Sequence, residues 1–302
     1  MNLQLSRKEF LLSVATGVAA AHAEPAKPVR APKALIVVAH PDDEYACAAT
    51  VYRITHEFAG TVDQVVLTNG EGGYRYSQLA EAVYGEPLTV ETVGRAALPA
   101  IRKAETARAG RLLGVRNQWF LEQKDARFTL DGNEAFRGLW DTAQIERALL
   151  EALENERYDL VFTLLPTEDT HGHHQAATLL LLEAVGRLSE DERPAVFGAR
   201  AAVRGEAGYR FHNRIAYPLT ATTSEAPLYS VRRTDKVRQD CPLTYEIIVN
   251  WVVAEYKSQG LLQAEAGKHD REQFWLFRES GPSSALFADQ LFGTLSASAT
   301  AL

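Results

Sequence analysis

Ala34-Leu35-Ile36-Val37-Val38-Ala39-His40-Pro41-Asp42-Asp43-Glu44 is the stretch from which the rest of the chain can be read. An unbroken apolar run containing two Val and one Ile predicts a parallel strand buried on both faces. The run stops abruptly in His-Pro-Asp-Asp-Glu. Open α/β sheets carry their chemistry at the C-terminal mouths of such strands. Pro41 has no amide hydrogen to donate and turns the chain out of the strand. Asp42 or Asp43 can cap the helix predicted over residues 44–58. A cap needs one carboxylate, however, and this turn packs His40, Asp42, Asp43 and Glu44 together.

The pattern repeats downstream. Apolar strands are expected at residues 64–68, 118–121, 159–165 and 196–203, with amphipathic helices at 100–113, 142–156 and 176–185. Strand, turn, helix in alternation is the grammar of an α/β fold with a doubly wound, mostly parallel, Rossmann-like sheet. Its ionisable clusters would then share the C-terminal edge of the strands. The second strand ends in Asn69-Gly70-Glu71-Gly72-Gly73, a glycine-rich turn around a carboxylate. Residues 74–99 read either as a lid over a site or as a helical decoration. A helix is expected at 243–262 and a short apolar run at 273–277, while 204–233 has no clear period. The organisation is therefore a leader at 1–23, a Pro- and Ala-rich tether at 24–33, one α/β domain at 34–280, and a poorly ordered tail at 281–302.

The 302 residues are 46% hydrophobic and 24% charged, which is ordinary for a globular chain. The net charge of −7, with no basic block, argues against nucleic acid as a partner. Arg7 and Lys8 precede a short apolar run, and Ala21-His22-Ala23 matches a small-x-small cleavage pattern. Cleavage after Ala23 would leave 302 − 23 = 279 residues. The apolar run is too short for a stable membrane anchor. Ser6-Arg7-Lys8-Glu9-Phe10-Leu11 resembles a twin-arginine export signal with Lys in place of the second Arg. The expected destination is periplasmic or secreted. Only two cysteines occur, Cys47 and Cys241, and whether they pair is open. No Cys-x-x-Cys is present, which excludes a thiolate zinc site of that spacing.

The fourth strand runs into a second polar cluster, Pro166-Thr167-Glu168-Asp169-Thr170-His171-Gly172-His173-His174-Gln175. His171 and His174 are three apart, as are His40 and Asp43, so each pair can point one way. Two histidines and one carboxylate make a catalytic zinc ligand set that leaves a position open for water. A neighbouring carboxylate, Asp42, can serve as general base. A histidine outside the ligand set can help to hold an oxyanion.

Ala39-His40-Pro41-Asp42-Asp43-Glu44, taken with His171-Gly172-His173-His174, resembles the zinc-dependent de-N-acetylase family of LmbE-like and PIG-L-like proteins. The second motif usually reads His-Pro-Asp-His, and here Gly172 and His173 stand in the middle. Asn69 to Gly73, Arg102-x-x-Glu105 and Tyr256-Lys257-Ser258-Gln259 are similar to further family elements, with Tyr256 where His is common. The resemblance implies one Zn2+ per chain, held by His40, Asp43 and His174. It implies Asp42 as the base that deprotonates the attacking water, and His171 as the group that stabilises the oxyanion or protonates the leaving amine. Glu71, Arg102 and Asp125 fall where family members contact the sugar. The implied activity is removal of an N-acetyl or other acyl group from a small amino sugar or a glycoconjugate. One alternative is a zinc amidase acting on a peptide-like or thiol-conjugate amide. Another is a carbohydrate-binding protein that keeps the fold without catalysis. A nucleotide-dependent enzyme is disfavoured, because no Gly-x-Gly-x-x-Gly follows the first strand. The exported chain is expected to begin at Glu24, which intact-mass measurement of the secreted product checks; a product that retains residues 1–23 is the contrary result.

Overall fold

The structure is a computed structural model that describes residues 30–238 and 240–300. The expected leader and residues 24–29 of the tether lie outside that range. Seven strands form one sheet in the order β3-β2-β1-β4-β5-β7-β6. They are β1 (Lys33–Val38), β2 (Thr61–Thr68), β3 (Val115–Gln123), β4 (Leu160–Leu164), β5 (Ala195–Val203), β6 (Tyr229–Arg232) and β7 (His269–Leu276). β1 pairs parallel with both β2 and β4, and β3 and β5 extend the parallel ladder on either side. β7 runs antiparallel to β5 and to β6. The doubly wound, mostly parallel sheet expected from the sequence is the one observed.

The helices are α1 (Ala48–His56), α2 (Glu91–Leu113), α3 (Thr142–Glu156), α4 (Gly172–Gly186), α5 (Tyr245–Glu255) and α6 (Pro282–Thr300), with shorter helical turns between them. Successive residues of a strand point to opposite faces. Ala34, Ile36 and Val38 pack with α1, α5 and α6 in one core, and Leu35, Val37 and Ala39 pack with α3 and α4 in the other. Burial on both faces is why β1 carries no polar alternation. Among the described residues no helix is long and apolar enough to cross a membrane.

Three expectations are corrected. The helix expected at 100–113 begins at Glu91 and runs through Pro99. Residues 74–90 form short helical turns that pack Tyr74, Ala80 and Leu88 against Leu98. Gly94 permits that packing, since a Cβ there would lie 2.6 Å from Cβ of Tyr74. The single helix expected at 243–262 stops at Glu255 and resumes as a short turn at Gly260–Ala264. Between them Ser258 and Gln259 turn their polar groups to other parts of the chain. The tail expected to fray is α6, which buries Ala288, Leu291, Phe292 and Leu295. Its Ala- and Ser-rich composition hides an apolar stripe of helical spacing. Phe292 stacks on Tyr229 of β6 at 4.2 Å. Cys47 and Cys241 are both free thiols.

The cap of α1 also differs. Asp42 makes no capping hydrogen bond and adopts a left-handed backbone, with φ of 107°. Glu272 of β7 caps the helix instead, accepting the Ala49 N–H at 2.8 Å and the Thr50 N–H at 2.9 Å. Arg233 pairs with the same carboxylate at 3.1 Å, and both side chains are fully buried. Its guanidinium lies over the Tyr45 ring and donates to the Tyr45 carbonyl. Removing one partner of such a pair strands the other charge in the interior, so Glu272→Ala is expected to destabilise the protein by about 3–5 kcal/mol. Urea unfolding measures this, and a change confined to the range of surface substitutions would contradict the capping role.

Candidate active site and metal centre

β1 sits where the strand order reverses, with β2 on one side and β4 on the other. A crevice opens outside the strand ends at such a switch point. The His40–Glu44 turn leaves β1 into it, and α4 starts beside it after β4. The two polar clusters are therefore brought together by topology across 134 residues of sequence.

The local turn is closed on itself. The His40 backbone N–H donates to Asp43 Oδ2 at 2.8 Å. This anchors one carboxylate oxygen and leaves Oδ1 facing His174 Nε2 at 3.2 Å. His40 Nδ1 lies 3.0 Å from His174 Nε2 and 3.6 Å from Asp43 Oδ2. Zinc bonds of about 2.0–2.2 Å in tetrahedral array would separate their donor atoms by about 3.3–3.6 Å. The three side chains therefore match the spacing of a single divalent ion. The Thr170 hydroxyl, 2.8 Å from His174 Nδ1, orients the His174 ring so that Nε2 faces inward.

Charge tells the same story. Burial works to lift the Asp43 carboxyl, but His174 and His40 beside it hold it far below the usual carboxylate range. Burial opposes a charge on His40, yet Asp125, Asp43 and Asp42 outweigh it and raise the imidazole to about 9. Asp125 is likewise held low against burial, by His173, His40 and Arg102. Buried carboxylates in this number call for a cation at their centre.

Asp42 stands next to the ligand set without joining it. Burial first, then the Asp43 carboxylate, pushes its pKa well above the ordinary value, while Arg102 and His40 pull it back. His171 is the N-cap of α4, where its Nδ1 accepts the His173 backbone N–H at 2.9 Å. That bond puts the proton of the neutral ring on Nε2. Burial, then the crowd of imidazoles around it, depresses the pKa of His171. Phe128, 68% exposed, meets the His171 ring edge-on at 5.1 Å.

The three expected substrate contacts converge on one wall. Arg102 donates to the Gly70 carbonyl, while its Nε and Nη2 are buried and unpaired. Glu71 accepts the Asp125 backbone N–H at 3.1 Å through Oε1, and its Oε2 is buried without a partner. Asp125 accepts the Gly72 N–H at 3.0 Å. Glycine is required at 72, since a Cβ there would lie 2.7 Å from the Asp125 carboxylate. Glu105 of the Arg-x-x-Glu helix accepts from the Ser258 N–H at 2.9 Å and the Ser258 hydroxyl at 2.6 Å. Tyr256 donates to Glu44, and Gln259 donates to the Pro41 carbonyl at 3.3 Å. Sequence reasoning missed Thr170, Phe128 and the inward role of His173. Of these only His173, inside the His-x-His-His run, left a signal.

Residues 35–185 match the family described as GlcNAc-PI de-N-acetylase, PIG-L. The chain belongs to this family of LmbE-like deacetylases. A probable N-acetyl-alpha-D-glucosaminyl L-malate deacetylase 2 from Bacillus anthracis is 27% identical over 174 residues, which cover 57% of this chain and 68% of that protein. N,N'-diacetylchitobiose deacetylase from Pyrococcus horikoshii has a similar fold, with a TM-score of 0.51, 17% identity and coverage of 92% of this chain and 95% of that one. The zinc-inhibited form of teicoplanin deacetylase has a TM-score of 0.50 at 12% identity, covering 81% of this chain and 97% of that one. Replacing Asp43 or His174 with Ala is expected to cut metal content from about one ion per chain to near none. Elemental analysis after desalting reads this, and full metal retention in both variants would remove the site from consideration.

Proposed function

We propose that this chain is an exported zinc-dependent hydrolase that removes an N-acetyl group from an amino sugar or a small glycoconjugate. The observation that carries the reading is the convergence of His40 Nδ1, His174 Nε2 and the Asp43 carboxylate, with His40 Nδ1 3.0 Å from His174 Nε2 and 3.6 Å from Asp43 Oδ2, and His174 Nε2 3.2 Å from Asp43 Oδ1, beside an Asp42 that stays outside the set. Family membership supports a deacetylase, and the Bacillus relative's name supports an N-acetylglucosaminyl substrate. Export rests on residues 1–23 of the sequence.

His40, Asp43 and His174 would hold the ion. When bound, it supplies Lewis acidity, which polarises an amide carbonyl and makes a nearby water easier to deprotonate. Asp42 takes the proton from that water as its oxygen bonds to the carbonyl carbon, and the proton passes on to the amine nitrogen as the C–N bond breaks. Burial, then the Asp43 carboxylate, raises its pKa above the ordinary value, which strengthens it as a base. The His171 Nε2–H donates to the carbonyl oxygen as negative charge develops there. With Nδ1 committed to its own helix, the ring keeps this donor without needing a second proton. Glu71, Arg102 and Asp125 form the wall that the family resemblance sets against the sugar, fixed by the Glu71–Asp125 bond and by the buried Arg102 charge beside Asp42 and Asp125.

Asp42→Ala is expected to lower kcat by about 10²–10⁴ while the metal content stays at the wild-type level. Acetate release from N-acetylglucosaminides, measured beside N-acyl amino acids and thiol-conjugate amides, tests both the role and the substrate class. Turnover that survives the substitution would overturn the role of Asp42. Release confined to the amino acids or thiol conjugates would overturn the sugar assignment.

A further inference from the structure

His173, which stands in the middle of the second motif, faces inward and is 1% exposed. Its ring packs against Trp140 at 5.0 Å and His171 at 4.4 Å. Its Nδ1 lies 3.2 Å from His40 Nε2 and 3.4 Å from Asp125 Oδ1. Its Nε2 is buried without a partner. Asp125 is itself fixed by the Gly72 N–H.

Counting protons decides what this arrangement does. His40 turns Nδ1 toward His174 and Asp43. A neutral imidazole carries one proton, so a nitrogen that binds a cation leaves that proton on the other. His40 then has its N–H on Nε2. The His173 Nδ1 at 3.2 Å is within hydrogen-bond reach, and Asp125 Oδ1 at 3.9 Å is not. For His173 to accept there, it carries its own proton on Nε2, and its Nδ1 gives up the bond it could otherwise donate to Asp125 Oδ1 at 3.4 Å. Asp125 lies behind the same N–H as a longer-range negative charge.

We propose that His173 is a positioning residue, which accepts the Nε2–H of His40 and so fixes the ring and tautomer that turn Nδ1 toward the cation. This rests on the metal-site reading above. Histidines that bind metals donate their second N–H to a held acceptor, and loss of that acceptor weakens the metal. A rival reading is a second cation among His40, Asp125, His171 and His173. It requires His40 to bind through both nitrogens, with no ring proton left.

The test is zinc affinity of the metal-free full chain, measured by chelator competition, for the wild type, His173→Ala, His173→Asn and His174→Ala. His173→Ala is expected to weaken zinc binding about 10–100-fold. His173→Asn, whose amide oxygen can reach the position of Nδ1, is expected to recover most of the loss. A His173→Ala variant that binds zinc like the wild type, while His174→Ala loses it, overturns this proposal and leaves the metal site standing. So does a His173→Asn variant as weak as His173→Ala. A wild-type chain that binds no zinc overturns both. Imidazole nitrogen spectra of the zinc-loaded wild type need no substitution. Protons on Nε2 of both His40 and His173 are expected. A His173 proton on Nδ1, or two tightly held zinc ions per chain, overturns the proposal.

Discussion

The buried carboxylates at the switch point set the terms for everything around them. Asp42, Asp43 and Asp125 lie close enough to His40 to alter its charge, and Arg102 is the guanidinium that offsets two of them. In a desolvated crevice such a group is stable only when a cation sits among the negative charges. His40, Asp43 and His174 are spaced so that they could hold such a cation, and Asp42 lies outside that group. The strained backbone of Asp42, at φ of 107°, is the local cost of aiming two adjacent carboxylates at different targets.

The second half of the chain keeps this turn in place. Glu272 and Arg233 grip the start of α1 from the far strands, with Glu272 on β7 and Arg233 just past β6. Tyr256 reaches Glu44, Gln259 reaches the Pro41 carbonyl, and Ser258 reaches Glu105 on α2. The break in the helix at Tyr256–Gln259 is where the polar side chains of that segment meet the site. Burial pushes the Glu44 carboxyl up to about 7, with Tyr256 working against it, so this brace unites two groups that neither half would bury alone. Function and stability share the same contacts here.

Much of this was legible before the fold was known. The apolar run of β1, the alternation of strands and helices, and the bounds of α3 followed from periodicity. His40, Asp43 and His174 were singled out by motif resemblance and by the pairing of residues three apart, and the structure brings them together as a group that could hold a metal ion. Glu71, Arg102 and Asp125 do gather at one wall, although two of them spend bonds on each other. What stayed hidden had physical causes. Pro99 masked the first half of α2, a small-residue composition masked α6, and Asp42 looked like a cap although Glu272 performs that task from 223 residues away.

By itself the sequence determined that a mostly parallel α/β sheet forms and which types of donor atom are available at its strand ends, because burial and periodicity act over neighbouring residues. Only the tertiary structure decided which nitrogen of His40 faces His174 and Asp43, that His171 spends Nδ1 on its own helix, and that His173 turns inward against Asp125. The His40 and His173 contacts depend on distances of about 3 Å between segments joined by the sheet and not by the chain, and the His171 cap depends on the side-chain rotamer at the helix start. A hydrogen bond is specified by where its partner sits, and His40 and His173 meet across 133 residues of sequence.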